Sequence, residues 1–173
     1  IRAIIMYLYE GGNVFDNTEP VAKEDVPTVV GTVTRELPSS LKAIPDIGSA
    51  GYKVESGDID LFLDEKATLK NFNAEDTLSG KKALQQYFIA KGYDSRIKGR
   101  NVHVDVPYTA KRDGKQRFGQ VDLMVIPNAK KVADWHQHGP RGMYDDPKFK
   151  ADQLFILLNS IGKFLGVKVD AFS

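Results

Sequence analysis

Residues 48–64 read GSAGYKVESGDIDLFLD, with Asp58 and Asp60 separated by one isoleucine inside the apolar run Ile59, Leu61, Phe62 and Leu63. On a strand, residues two apart point to the same side, roughly 6.6 Å apart along the chain. Both carboxylates therefore project from one face, while Ile59 and Leu61 turn to the other. Carboxylates this close repel, and one stays protonated unless a cation intervenes. A divalent ion removes that conflict, and oxygen-only ligands favour Mg²⁺ or Mn²⁺ over softer metals.

The same segment offers a grip for phosphate. Gly48 lets backbone approach a ligand closely, and the Ser49 hydroxyl with nearby amides can hold phosphate oxygens. Lys53 adds a point charge, and Ser56-Gly57 allows a sharp turn onto the acidic strand. A third carboxylate would let a pair of ions be bridged, about 3.5–4 Å apart. Asp122, in QVDLMVIP, is the best candidate because it too interrupts an apolar alternating strand. Asp105, in VHVDVPY, is its rival.

The elements that must position these groups follow from pattern. DVPTVVGTVTREL reads as a helix that Asp25 can cap, with Pro27 in its first turn and Pro38 beyond its end. Ile44 to Gly48 and Ile59 to Leu63 read as strands. DTLSGKKALQQYFIAKG is an amphipathic helix with Leu84, Tyr87 and Phe88 on one face and Gly92 as its stop. RNVHVDVPY and RFGQVDLMVIP alternate as strands do, and the Asp113-Gly114 pair between them signals a hairpin. FKADQLFILLNSIGKFLG gives a last helix, core or partner-facing. This order predicts an α+β domain with one small mixed sheet covered by helices.

Length and composition suit a single domain over 1–173, with a core at about 25–170 and an N-terminal segment at 1–24. The start at Ile1 and the abrupt end suggest processing or a piece of a longer chain. The 173 residues are 42% hydrophobic and 27% charged, with 24 basic and 23 acidic side chains for a net charge of +1. No overall field attracts a polyanion, so nucleic acid would need a local patch. Lys111, Arg112, Lys115 and Arg117 form the densest such patch. The absence of cysteine excludes disulfides and thiolate metal sites and fits a reducing compartment. The apolar run before Glu10 is too short for a bilayer, which takes roughly 20 residues, so no membrane partner is expected. His136 and His138 lack a spaced third ligand for zinc. Trp135, a histidine and Arg141 fit a nucleotide-contacting loop better. Walker, nucleophile-elbow and dinucleotide motifs are all missing.

Gly48-Ser49, the loop ending Ser56-Gly57, the Asp58-Ile59-Asp60-Leu61 run and the distal Asp122 in VDLMVIP together resemble the DNA polymerase beta-type nucleotidyltransferase superfamily. The likeness spans about residues 40–170 and extends to nucleotidyltransferases encoded by tailed bacteriophages. It implies a palm-like core that moves a nucleoside monophosphate from an NTP to an acceptor hydroxyl, with a two-metal Mg²⁺ or Mn²⁺ site on Asp58, Asp60 and Asp122. Gly48, Ser49, Lys53, Ser56 and Gly57 would then contact the nucleotide. The acceptor would be RNA, a protein or a small molecule, and the setting the host cytoplasm or a virion. The helix-hairpin-helix segments of templated repair polymerases have no counterpart here. A second expectation is a phage virion structural or interaction protein that retains the fold and binds other virion proteins.

Overall fold

A computed structural model describes residues 14–45, 50, 53–138 and 160–166, the last four residues before 139 by backbone alone. The elements are β1 (Val21–Ala22), α1 (Val26–Glu36), β2 (Ile44–Pro45), β3 (Glu55–Ser56), β4 (Asp58–Asp64), α2 (Glu65–Phe72), α3 (Thr77–Ala90), β5 (Ser95–Lys98), β6 (Asn101–Thr109), β7 (Gln116–Ile126) and α4 (Ala129–His138). Residues 160–165 are helical as well, the described end of the expected last helix. A five-stranded sheet runs β2-β4-β7-β6-β5, and β1 pairs with β3 in a separate ribbon. Only β4 and β7 are parallel within the larger sheet, the other neighbours being antiparallel. The fold is α+β, built on a small mixed sheet.

Alternation sets the two faces of that sheet. Ile59, Leu61, Leu63, Val102, Val104, Val106, Val121, Leu123 and Val125 share one face and form the main core with Val29 and Val33 of α1 and Leu84 and Phe88 of α3. The opposite face is divided. Phe62 and Met124 meet Ile126, Ala129 and Ala133 beneath α4, a second apolar cluster. That double burial explains why Leu61-Phe62-Leu63 is continuously apolar. Beside it, toward the start of β4, the same face becomes polar.

Local chemistry ends the elements where the sequence suggests. Leu37 leaves α1 in extended conformation (φ −61°, ψ 149°) because the residue before Pro38 is excluded from the helical region. Asp76 and Ser79 form a reciprocal capping box on α3. The hairpin turns through Gly114 at φ +69°, and Asp113 Oδ1 accepts from the Lys115 amide at 3.1 Å. Asp25 departs from expectation. Its side chain makes no cap on α1 but accepts from the Lys111 amide at 3.0 Å, tying the helix start to the hairpin.

The short β1–β3 ribbon, α2, β5 and α4 go beyond the order expected from patterning. Each is too short or too polar to carry a periodic signal. The described α4 side chains in the cluster with Phe62 are Ala129, Val132 and Ala133, and the helical backbone of AKKVADWHQH includes Trp135, His136 and His138, expected as loop. Residues 14–22 are also part of the domain. Glu19 N donates to Phe118 O, and Val21 pairs with Ser56.

Candidate functional site

The polar half of the second face is a ladder of side chains in register. One row runs Asp58, Gln120, Asp105 across β4, β7 and β6, and the next runs Asp60, Asp122, His103. Aligned neighbours in a sheet lie on the same side, with strands about 4.8 Å apart. Asp60 and Asp122 are thus direct neighbours, and Asp58 lies one pleat along. Of the two rivals for third carboxylate, Asp122 stands beside Asp60, whereas Asp105 is separated from Asp58 by the whole width of β7.

Asp122 is 5% exposed and held from three directions. His103 Nδ1 lies 2.6 Å from Oδ1, Gln120 Nε2 donates to the same oxygen at 2.9 Å, and Asn101 Nδ2 donates to Oδ2 at 3.1 Å. His103 Nε2 faces the Lys98 carbonyl at 3.4 Å. Gln120 is anchored in turn, since the Val14 amide donates to its Oε1 at 3.1 Å. Asp58 carries the electrostatic signature of crowding. Burial, and then the charge of Asp122, push its carboxyl above the ordinary aspartate value, while His103 and Lys53 pull the other way.

The remaining expected residues fall as follows. Lys53 is exposed, and its charge reaches Asp58. Ser56 is buried, and its hydroxyl has no hydrogen-bond partner among the described residues. Gly57 joins β3 directly to β4. Gly48, Ser49 and Arg141 lie outside the described residues. Asp105 accepts from Asn17 Nδ2 at 2.6 Å, and burial raises its carboxyl above the ordinary value. The basic hairpin is largely tied down. Lys111 Nζ donates to the Glu24 carbonyl, Arg112 pairs with Glu55, and Arg117 pairs with Glu19 and Asp113. Its charge is offset locally, which weakens it as a polyanion patch.

Among the described residues no group of three or more histidine or acidic side chains is arranged to hold a metal ion. The strands bring the three aspartates to one face, but the Asp122 carboxylate is turned toward His103. Acceptor capacity still remains. An ionised carboxylate has about four lone-pair sites. Oδ1 of Asp122 receives two donors and Oδ2 one. Asp58, Asp60 and Oδ2 of Asp122 offer oxygen atoms, the donor type that Mg²⁺ and Mn²⁺ take, but among the described residues they are not arranged around one ion position.

His103, Gln120 and Asn101 are the participants that the sequence reading does not single out. NVHVDV already places His103 and Asp105 opposite the valines, but only the pairing of β6 with β7 sets the ring against Asp122. A comparison of the chain with protein-family models finds no match, and a comparison with curated proteins finds none either. No helix among the described residues is long and apolar enough to cross a membrane.

Proposed function

We propose that the protein is a metal-dependent nucleotidyltransferase that moves a nucleoside monophosphate from an NTP to an acceptor hydroxyl. One observation carries this reading: the parallel register of β4 on β7, which sets Asp60 beside Asp122 with Asp58 next to them on a single polar face. A crowded carboxylate cluster costs stability without a cation, and the Asp58 carboxyl is raised first by its own burial and then by the charge of Asp122. When bound, Mg²⁺ or Mn²⁺ neutralises charge on the reacting phosphates. Asp58, Asp60 and Oδ2 of Asp122 would hold the ion pair. The segment Gly48, Ser49, Lys53, Ser56 and Gly57 would take the triphosphate oxygens, as it leads straight into the acidic strand. In the transfer, the acceptor oxygen bonds to the α-phosphorus, the α–β bridge breaks, and pyrophosphate leaves. Asp122 would complete the site and orient the acceptor hydroxyl, whose proton passes to solvent.

A second reading, a virion structural or interaction protein retaining this fold, is favoured by the three donors already on Asp122. Incubation with each α-labelled NTP, Mg²⁺ or Mn²⁺ and a cell lysate separates the two. Transfer of label to an RNA, protein or small-molecule product, lost in Asp60→Asn, supports the enzyme and names its acceptor class. No labelled product, with melting indifferent to millimolar Mn²⁺, supports the structural reading.

A further inference from the structure

Asp105 is a buried carboxylate that the proposed transfer does not use. It is 6% exposed, Oδ2 accepts from Asn17 Nδ2 at 2.6 Å, and Oδ1 has no hydrogen-bond partner among the described residues. A charge buried with one oxygen unpaired is costly, and such a group relieves the cost by taking up a proton. The neutral acid keeps the Asn17 bond, because its carbonyl oxygen still accepts. Burial is the largest influence and raises the carboxyl above the ordinary aspartate value. Asp94, immediately before β5, adds to the rise through its charge, and the Asp105 amide donates to the Asp94 carbonyl at 3.0 Å. Arg96 of β5 pulls the other way, but its guanidinium is engaged by Asp94, the Val14 carbonyl and the Phe15 ring. On β7 the register neighbour is the neutral Gln120, with Asp58 of β4 beyond it, and His103 stands two positions along β6. Asp16 and Glu19 are exposed, and Glu19 pairs with Arg117.

Residues 14–19 cross the sheet face at Asp105, and Phe15 is their only buried side chain. Their other ties are polar. Val14 N donates to Gln120 Oε1 at 3.1 Å, Arg96 donates to the Val14 carbonyl at 2.8 Å, and Glu19 N donates to Phe118 O at 2.9 Å. Val21, with no exposed surface, anchors the chain just beyond. A segment held this way opens at lower free energy than core strands do. Lifting it gives both oxygens of Asp105 to water and removes the penalty on the charged form. We infer that residues 14–19 are a pH-sensitive latch over the β6–β7 end of the polar face, shut when Asp105 is protonated and released when it ionises. The latch needs neither a metal ion nor the proposed transfer. Closure is strongest below the ordinary aspartate value and weakens as pH rises through the raised value of the closed state, above which the loss is complete.

The test is hydrogen exchange of the full chain at single amides from about pH 4 to 7, corrected for the intrinsic pH dependence of exchange. The Val14 and Glu19 amides report the latch, and the paired amides of β6 and β7 report the core. Protection at Val14 and Glu19 is expected to lie below that of the core. It should fall with rising pH by a factor that approaches the ratio of the acid constants of the open and closed states. Asp105→Asn stands in for the neutral acid and is expected to keep latch protection constant over the same range. Asp94→Asn changes an exposed side chain, so it serves even if Asp105→Asn fails to fold. It removes a charge that opposes ionisation and is expected to move the fall to lower pH. Latch protection that ignores pH, a fall that persists in Asp105→Asn, or one that stays in place in Asp94→Asn would overturn the inference. So would latch amides that match the protection of the core at every pH.

Discussion

Asp58 is the residue at which the conflict inside the acidic cluster can be measured. Its carboxyl is raised by burial and by the charge of Asp122. Between the ordinary aspartate value and that raised value, the native state binds more protons than the unfolded chain. Stability therefore falls as pH rises through this window. Asp58→Asn carries no charge and should remove the fall. At neutral pH without metal its melting temperature should exceed that of wild type by a few degrees, at about 2–4 °C per kcal/mol of relieved repulsion. If Asp58 is a metal ligand, as proposed, stabilisation by Mn²⁺ should shrink in the same variant. Melts from pH 4 to 8, with and without Mn²⁺, check both. A metal-free Asp58→Asn protein less stable than wild type would show that Lys53 and His103 already compensate the charge.

At the level of elements, the contact between β1 and β7 is the most sensitive joint near the site. A Cβ built on Gly119 would lie 2.6 Å from Cγ2 of Val21, a residue with no exposed surface. Val21 is β-branched and stiff, so it cannot swing away cheaply. Gly119→Ala should cost about 1–3 kcal/mol by overpacking. Val21→Ala vacates the clashing position. The double variant should therefore be more stable than the sum of the two single losses, with a coupling of roughly 0.5–3 kcal/mol by urea unfolding. Additive losses would mean that β1 moves off the sheet. Because Gly119 immediately precedes Gln120, such a shift would also be felt at Asp122.

Across the whole molecule, residues 14–19 form a strap over the polar face of β5, β6 and β7. Arg96 donates to the Val14 carbonyl and lies over the ring of Phe15, Val14 N donates to Gln120, and Asn17 donates to Asp105. Asn17→Ala should expose how much this strap contributes. Asp105 would lose its Asn17 donor, and hydrogen bonds to charged groups contribute about 1.5–3 kcal/mol. The Asp105 carboxyl already sits above the ordinary value because of burial, and losing the donor raises it further. The deficit of Asn17→Ala should therefore be full above that raised value and should shrink as pH falls through it. Urea unfolding at pH 4 and pH 7 gives the comparison. A deficit independent of pH would assign the loss to packing.

The period of two along a strand is local, so DIDLFLD, NVHVDV and QVDLMV by themselves determined which residues share a face. The Asp113-Gly114 hairpin and the stop of α1 before Pro38 were equally legible, because turn and cap chemistry reaches only a few residues. Phe62 already hints at more, since an apolar residue on the aspartate face must have a cover. What covers it, α4, was not legible in a segment that is mostly polar. Nor was the row Asp60, Asp122, His103, whose members lie 62 and 19 positions apart in sequence. Strand order is decided by how α1, α2 and α3 bury the valine face as a unit, a property of the whole core and of no single segment. The sequence supplied the carboxylates and their facing. The tertiary structure alone decided that Asp122, and not Asp105, lies beside Asp60, and that a histidine holds it there.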